Sequence, residues 1–490
     1  MRFARFALSL HADFACKVSI KEQSLSGVKW NALGHFFTHG VNFVLGLLIA
    51  RMLMPEDYGV IGMLAIFTAI ANAFVDSGFS NALIRKPDRT EIDCSTAFYF
   101  NIVVGALAYG ILFLAAPWIA AFYDMPILTD VIRVLSLTIF INSLGIVPSA
   151  LRTIAIDFKS QAYASVFSAI ISGFIGLYMA YHGYGVWALV WQTILGAALG
   201  VVIIWLLARW TPSWTYSWQS FRAMFSYGSK LLLSGLIHRT YTYVSNLLIG
   251  KFYTPTDLGY YDRGLQMAAW PSLKMFRMLH GVTFPILAKV QDDNQRLLHV
   301  YREYQGMISM TAFFIMTLLA AVAEPLITLL LTAKWLGAVP YLRVFCLAFM
   351  FDTICQLNNN LLYVKGRSDM FLKLEIIKKL IVTPFLLMAI PLGVMAICFV
   401  AVVHTAVDIA CTTFYIKRLL GIKGYLFPGI GKFFFLSLLA CSPAYLICSI
   451  GLSPWLSLLV ATLLSGGLYY AFLHRHPYMK ELLQMLKSIF

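Results

Sequence analysis

Charge is what this sequence has least of. Only 12% of its 490 residues are Asp, Glu, Lys or Arg, where a soluble domain averages about a quarter. No polar segment exceeds roughly twenty-five residues, which leaves no room for a sizeable soluble domain. No GxxxxGK[ST] loop is present, so the chain does not hydrolyse nucleotide through a Walker motif. GxSxG, HExxH and Cys/His clusters are also missing, which removes the usual carriers of serine hydrolysis and zinc chemistry. The eight cysteines lack metal spacing, and none falls in a predicted external loop. No disulfide framework, metal, cofactor or catalytic residue is therefore assigned.

What is present is apolar. Hydrophobic residues make up 60% of the chain and mean hydropathy is +0.78. Fourteen stretches are long enough to cross a bilayer at about twenty residues each. They cover 28–51, 58–84, 95–119, 128–150, 162–181, 185–208, 227–250, 259–285, 305–332, 338–363, 371–391, 393–416, 430–450 and 454–473. The fold class is thus an all-α integral membrane protein of about fourteen transmembrane helices. Residues 1–27 carry Arg2, Arg5, Lys17 and Lys21 around an apolar run, Phe6 to Leu10, too short for a signal-peptide core. They read as a cytoplasmic or interfacial arm.

The net charge of +15 fits cytoplasmic loops better than a nucleic-acid partner. With the N-terminus inside, cytoplasmic segments hold about 28 of the 37 Lys and Arg residues. Both termini are therefore expected in the cytoplasm. Trp210, Trp214 and Trp218 sit four apart in a linker, 209–226, where the spacing predicts an interfacial helix anchored in lipid headgroups. The tail at 474–490 has a similar amphipathic look.

One stretch occurs twice. LLIARMLMPEDYG at 47–59 recurs as LLIGKFYTPTDLG at 247–259, with Arg51/Lys251, Pro55/Pro255, Asp57/Asp257 and Gly59/Gly259 in register. Pro stops one helix and Asp caps the next. Two homologous halves follow, and paired halves in a membrane protein usually rock about a site between them.

Polar residues inside the spans point to that site, because they are expensive in hydrocarbon. Asn31, His35, Thr38, His39 and Asn42 share one face of span one. Span two adds Asn72, Asp76 and Ser80. Span seven carries His238, Arg239, Thr242 and Asn246, and span eight Arg263, Gln266, Lys274 and Arg277. Arg133, Glu324 and Arg343 lie near span ends, where snorkelling explains them better. Cations outnumber acids on the stripes, so the expected cavity suits an anion such as a phosphate or pyrophosphate. Asp76, Asp352 and Asp408 are the candidates for a coupled ion. Glu56–Asp57 looks like the paired acids of membrane glycosyltransferases, yet the second copy has Thr256–Asp257, which favours a helix cap.

The segments NLLIGKFYTPTDLGYYDRG from Asn246, FPILAKVQDDNQRLL from Phe284, RKPDRTEIDCSTAFYFN from Arg85 and YGVWALVWQ from Tyr184 carry a resemblance. Together they resemble polysaccharide exporters of the multidrug/oligosaccharidyl-lipid/polysaccharide exporter superfamily, in the branch with colanic-acid and teichuronic-acid exporters. The likeness runs from about Ser24 through span twelve. It implies two pseudo-symmetric six-helix lobes, 28–208 and 227–416, around a central cavity, plus an accessory pair within 417–473. It also implies a bacterial cytoplasmic-membrane flippase, not an enzyme, that turns undecaprenyl-pyrophosphate-linked repeat units to the external leaflet. Membrane lipids, a polysaccharide polymerase and glycosyltransferases are the partners implied.

In that setting Arg239, Arg263, Lys274 and Arg277 are expected to neutralise the pyrophosphate. Asn31, His35, His39 and Asn42 would meet sugar hydroxyls. Two rivals remain: a drug/cation antiporter of the same superfamily, expected to have a more acidic cavity and twelve spans, and a membrane glycosyltransferase or polymerase. Replacing Lys274 and Arg277 together by Ala is expected to stop polymer export at normal expression, read as surface polysaccharide. Unchanged export would remove the cation assignment.

Overall fold

Hydrocarbon offers no water to backbone N–H and C=O groups, so an apolar chain crosses it by bonding its backbone internally. The computed structural model describes residues 30, 33–34, 36–76, 78–422, 426–427 and 429–481, without the side chains of 273–282, 368 and 372. The arm at 1–27 and most of the tail lie outside the described residues, which hold helices and no strands.

The N-terminal helices are α1 (Phe36–Met52), α2 (Pro55–Asp76), α3 (Phe79–Arg85), α4 (Glu91–Phe122), α5 (Ile127–Leu135), α6 (Leu137–Ile154), α7 (Phe158–Tyr181), α8 (Val186–Ala208) and α9 (Trp218–Phe252). Then come α10 (Pro255–Lys289), α11 (Asn294–Ala321), α12 (Ala323–Leu331), α13 (Val339–Val364), α14 (Ser368–Ala389), α15 (Val394–Leu420), α16 (Ile430–Ser449) and α17 (Pro454–Leu473). Each of the fourteen expected spans has its helix. The second, fourth and ninth are broken into α2–α3, α5–α6 and α11–α12.

Among the described residues, ten segments are long and apolar enough to cross a membrane. The remaining four, α1, α9, α10 and α14, are not short of helix but of apolarity or described length. Three of these carry the polar stripes read from the sequence. The fourth, α14, holds Lys373, Glu375, Lys378 and Lys379.

The repeated stretch does what its residues dictate. Pro55 and Pro255 each open a helix, at the position where a missing N–H does no harm. Asp57 Oδ2 accepts from the Met54 N–H at 2.9 Å. In the second copy Thr254 and Asp257 close a full capping box, with Thr254 Oγ1 accepting from the Asp257 N–H at 3.1 Å.

Two compact units result, Met1–Lys251 and Phe252–Phe490. α9 is tied to the first unit by Arg239–Asp76 and Lys251–Asp124 ion pairs. Within that unit α7 and α8 approach through small residues: a Cβ on Gly176 would meet the Gln192 side chain at 2.9 Å.

The linker itself is not the expected helix. Residues 209–217 are not helical, with a bend at Trp214, and helix begins only at Trp218. Pro212 explains the difference, since it has no N–H to donate and keeps the residue before it out of helical geometry. The strap is instead sewn to the start of α4. Ser213 N–H donates to Ser95 Oγ at 2.9 Å, Ser217 N–H to Thr96 Oγ1 at 3.0 Å, and Trp210 Nε1 to Glu91 Oε1 at 2.7 Å. Trp210 packs on Phe98, whereas Trp214 stacks on Tyr99 and is 96% exposed.

In the second unit α13 runs through the centre, packed by α10, α11 and α15 around buried Trp335, Tyr301 and Phe345. The accessory pair α16–α17 docks on α11, with Tyr469 OH donating to the Met310 carbonyl at 2.7 Å.

α4 starts in a capping box, Thr90 with Asp93, and the buried Asp93 carboxylate also takes Lys86 Nζ at 2.7 Å. Lys86 remains partly in water, so the cap is the larger contribution. Asp93→Ala is expected to lower stability by about 1–2 kcal/mol, read from thermal unfolding in detergent, with Asp93→Asn milder.

Candidate functional site

In the first unit a break in a helix makes a cavity. α2 ends at Asp76, and Gly78 takes φ +74, a left-handed conformation that glycine adopts without strain. A Cβ at Gly78 would stand 2.8 Å from the Gly228 Cα, so α9 crosses the break almost backbone to backbone. Eleven residues on, about three helical turns, Arg239 meets Asp76 on α2. Its Nη2 donates to Asp76 Oδ2 at 2.6 Å, and its Nη1 to the Ala69 carbonyl at 3.3 Å.

The pair stands in the wall of two cavities, of about 870 and 520 Å3, which also share Asn142. Small side chains on α6, α7 and α8, among them Gly145, Ala164 and Gly200, leave the room. Hydroxyls and amides give it polarity: Asn81, Ser149, Gln161, Ser165 and Ser168 in the larger cavity, Thr68, Asn72 and Thr193 in the smaller. Among the described lining residues of both, Asp76 is the one carboxylate and Arg239 the one arginine or lysine. A volume of this size is typical of a small-molecule site. Such a surface can hydrogen-bond a polyol along its length and meet an anion at one point.

Of the residues expected from the sequence, Arg239 and Asp76 meet here. His39 lines a smaller cavity of about 210 Å3 with Thr38, Gln161 and Ser165, the last two shared with the large one. Asn42 is exposed and lines none of these cavities. Asn31 and His35 lie outside the described residues, as do the side chains of Lys274 and Arg277. Arg263, in the second unit, places its guanidinium 5.0 Å from the centre of the Trp335 ring. Arg133 and Arg343 lie over Phe113 and Tyr445, as snorkelling end residues can.

Attention to charge missed the α7 contribution. Gln161, Ser165 and Ser168 recur at helical spacing and were legible as a polar stripe, but none carries charge.

It also missed a lysine. In the second unit the Lys378 side chain is 2% exposed, ion-paired with Glu375, and lies 3.1 Å from Asp408 Oδ1. The Asp408 contact is an ion pair and not an aligned hydrogen bond. Asp352 accepts from Gln356 Nε2 at 3.4 Å. From Asp408 the polar chain continues: Thr412 Oγ1 donates to its carbonyl, Asn358 Nδ2 to Thr412 Oγ1, and Tyr301 OH to Asn358 Oδ1. No group of three or more His, Cys, Asp or Glu suited to a metal occurs among the described residues.

The polysaccharide biosynthesis protein family matches residues 48–340, more than half the chain and every lining residue of the two larger cavities. The chain belongs to that family. Its curated relatives include the teichuronic acid biosynthesis protein TuaB of Bacillus subtilis (strain 168), 27% identical over 72% of this chain and 73% of its own length. The lipopolysaccharide biosynthesis protein WzxC of Escherichia coli (strain K12) is 23% identical over 75% of each chain. Among solved structures, the lipid II flippase MurJ in an inward closed conformation shares the fold, with a TM-score of 0.70 and 12% identity over 90% of this chain and 98% of its own. An inward-facing multidrug transporter of the MATE family is also similar, with a TM-score of 0.60 and 14% identity over 78% and 96%. At such identities the likeness is one of fold.

Lys378→Met is expected to destabilise the second unit by about 3 kcal/mol, because two carboxylates lose their buried counter-charge. Adding Asp408→Asn and Glu375→Gln should restore most of the loss in thermal unfolding.

Proposed function

We propose that this member of the polysaccharide biosynthesis family is a flippase for saccharide repeat units linked to undecaprenyl pyrophosphate, carrying them from the cytoplasmic to the external leaflet. The observation that carries the reading is the 870 Å3 cavity of hydroxyls and amides with one arginine, set among membrane-crossing helices. A pyrophosphate and several sugars cannot cross about 30 Å of hydrocarbon unaided, since ions and hydroxyls would lose their hydration. Serine, asparagine and glutamine side chains replace water around sugar hydroxyls, and Arg239 replaces it around phosphate oxygens. The lipid tail stays in the bilayer.

The family to which the chain belongs, and a fold shared with a lipid II flippase, support the same conclusion. The chain is a transport protein of the bacterial cytoplasmic membrane, with both termini inside. Its lobes, spans 1–6 and 7–12, alternate access to the two leaflets. Lys274 and Arg277 add positive charge for the pyrophosphate. Glycosyltransferases supply the repeat unit, and a polymerase consumes it outside.

The driving force follows from the charges. Asp76 and Asp408 are already paired with Arg239 and Lys378, and Asp352 is held by Gln356, so the charge we take to move is the substrate's own. Outward movement of an anion is favoured by about 2.3 kcal/mol per charge per 100 mV of inside-negative potential. In proteoliposomes, a lipid-linked oligosaccharide is expected to flip faster under an imposed inside-negative potential without any ion gradient. Absence of flipping under every gradient would end the flippase reading, and flipping that needs a sodium or proton gradient would move the coupling to Asp76, Asp352 or Asp408.

A further inference from the structure

We propose that Asp76 is an internal stand-in for the substrate's anionic group, holding Arg239 until a pyrophosphate headgroup displaces it. This rests on the lipid-linked saccharide reading and adds which protein group the phosphate must replace.

Helix electrostatics make Asp76 conspicuous. It is the last residue of α2, where the carbonyl end of the helix disfavours a carboxylate. Its place is explained by Arg239 and not by the helix that bears it. The Arg239 guanidinium spends one arm on Asp76 and the other on the Ala69 carbonyl, so both contacts anchor α9 to α2. A planar fork of donors fits the oxygens of a phosphate as well as those of a carboxylate.

The pair is also open to exchange. Asp76 is 60% exposed and Arg239 35%, each toward a cavity wide enough for a headgroup. The Ala69 carbonyl still holds the other arm of the guanidinium, so a ligand of higher charge can take the place of Asp76 while α9 stays joined to α2. No second carboxylate lines either cavity among the described residues to take over the arginine. Once displaced, Asp76 is left unpaired at the negative end of α2. Its return to Arg239 after the headgroup leaves is therefore favoured, and the site resets itself. His238, beside Arg239 on α9, lines the larger cavity and remains for the saccharide.

The test uses the full chain in nanodiscs of neutral lipid. The probes are undecaprenyl pyrophosphate, undecaprenol, phosphatidylglycerol and inorganic pyrophosphate, with thermal melting as a check that each variant folds. The unaltered protein is expected to prefer undecaprenyl pyrophosphate to the alcohol. Asp76→Asn should tighten binding of the pyrophosphate lipid by roughly threefold and leave undecaprenol unchanged. Arg239→Gln should lose the preference, and Asp76→Asn with Arg239→Gln should behave like Arg239→Gln alone. If the unaltered protein keeps the preference while Asp76→Asn binds no tighter, the exchange is wrong. An equal gain for phosphatidylglycerol, or a gain confined to inorganic pyrophosphate, overturns the assignment of the occupant. No preference in the unaltered protein overturns the underlying reading of the substrate.

Discussion

A charge taken into hydrocarbon has to bring its counter-charge, and that constraint governs both units. In the second unit it is met by burial. Lys378 lies sealed between Glu375 and Asp408, and the hydrogen-bond chain through Thr412, Asn358 and Tyr301 extends the same rule to neutral groups. In the first unit it is met in a cavity wall, by the part-exposed Asp76 and Arg239. The chemistry is the same and the consequences differ. A sealed pair fixes helix packing, whereas one open to a cavity can trade partners.

Much of this was legible in the sequence, because membrane helices announce themselves by length and apolarity. All fourteen spans were readable, and so was the turn chemistry of the repeat, since Pro and Asp act locally. The stripe with Arg239 was readable for a related reason: an arginine in an apolar run has few explanations. Three features were not. The helix breaks at Gly78, between α5 and α6 and between α11 and α12 leave the apolar run intact, so hydropathy passes over them. Lys378 was overlooked because a span containing Lys373, Glu375 and Lys379 reads like a loop edge until the opposing Asp408 on α15 is in view. The Ser213–Ser95 and Ser217–Thr96 contacts join residues more than a hundred positions apart, beyond any local pattern.

The linker shows how two local signals can compete. Tryptophans four apart favour an amphipathic helix, but Pro212 lies between the first two. A proline inside a helix costs about 3 kcal/mol unless packing offsets it, and a surface strap offers little packing. The chain therefore leaves α8 at Arg209, in a left-handed conformation, and stays non-helical until Trp218. Without a helix the Ser213 and Ser217 N–H groups are free for partners on α4, and these sew the strap to it. One proline thus turns an expected surface helix into a fastening.

The same economy bears on the cavity. A pocket meant only for an anion would cluster cations, and one meant only for a cation would expose carboxylates. The described walls do neither: they set hydroxyls and amides around one arginine that already has a partner. Hydrogen bonds from uncharged polar groups are worth only a modest net energy each, which suits repeat units that must leave again on the far side. The arginine supplies a single strong contact, and its partner keeps that contact from being left uncompensated when no ligand is bound. Affinity is thereby limited by an internal competitor, a property that favours turnover over retention.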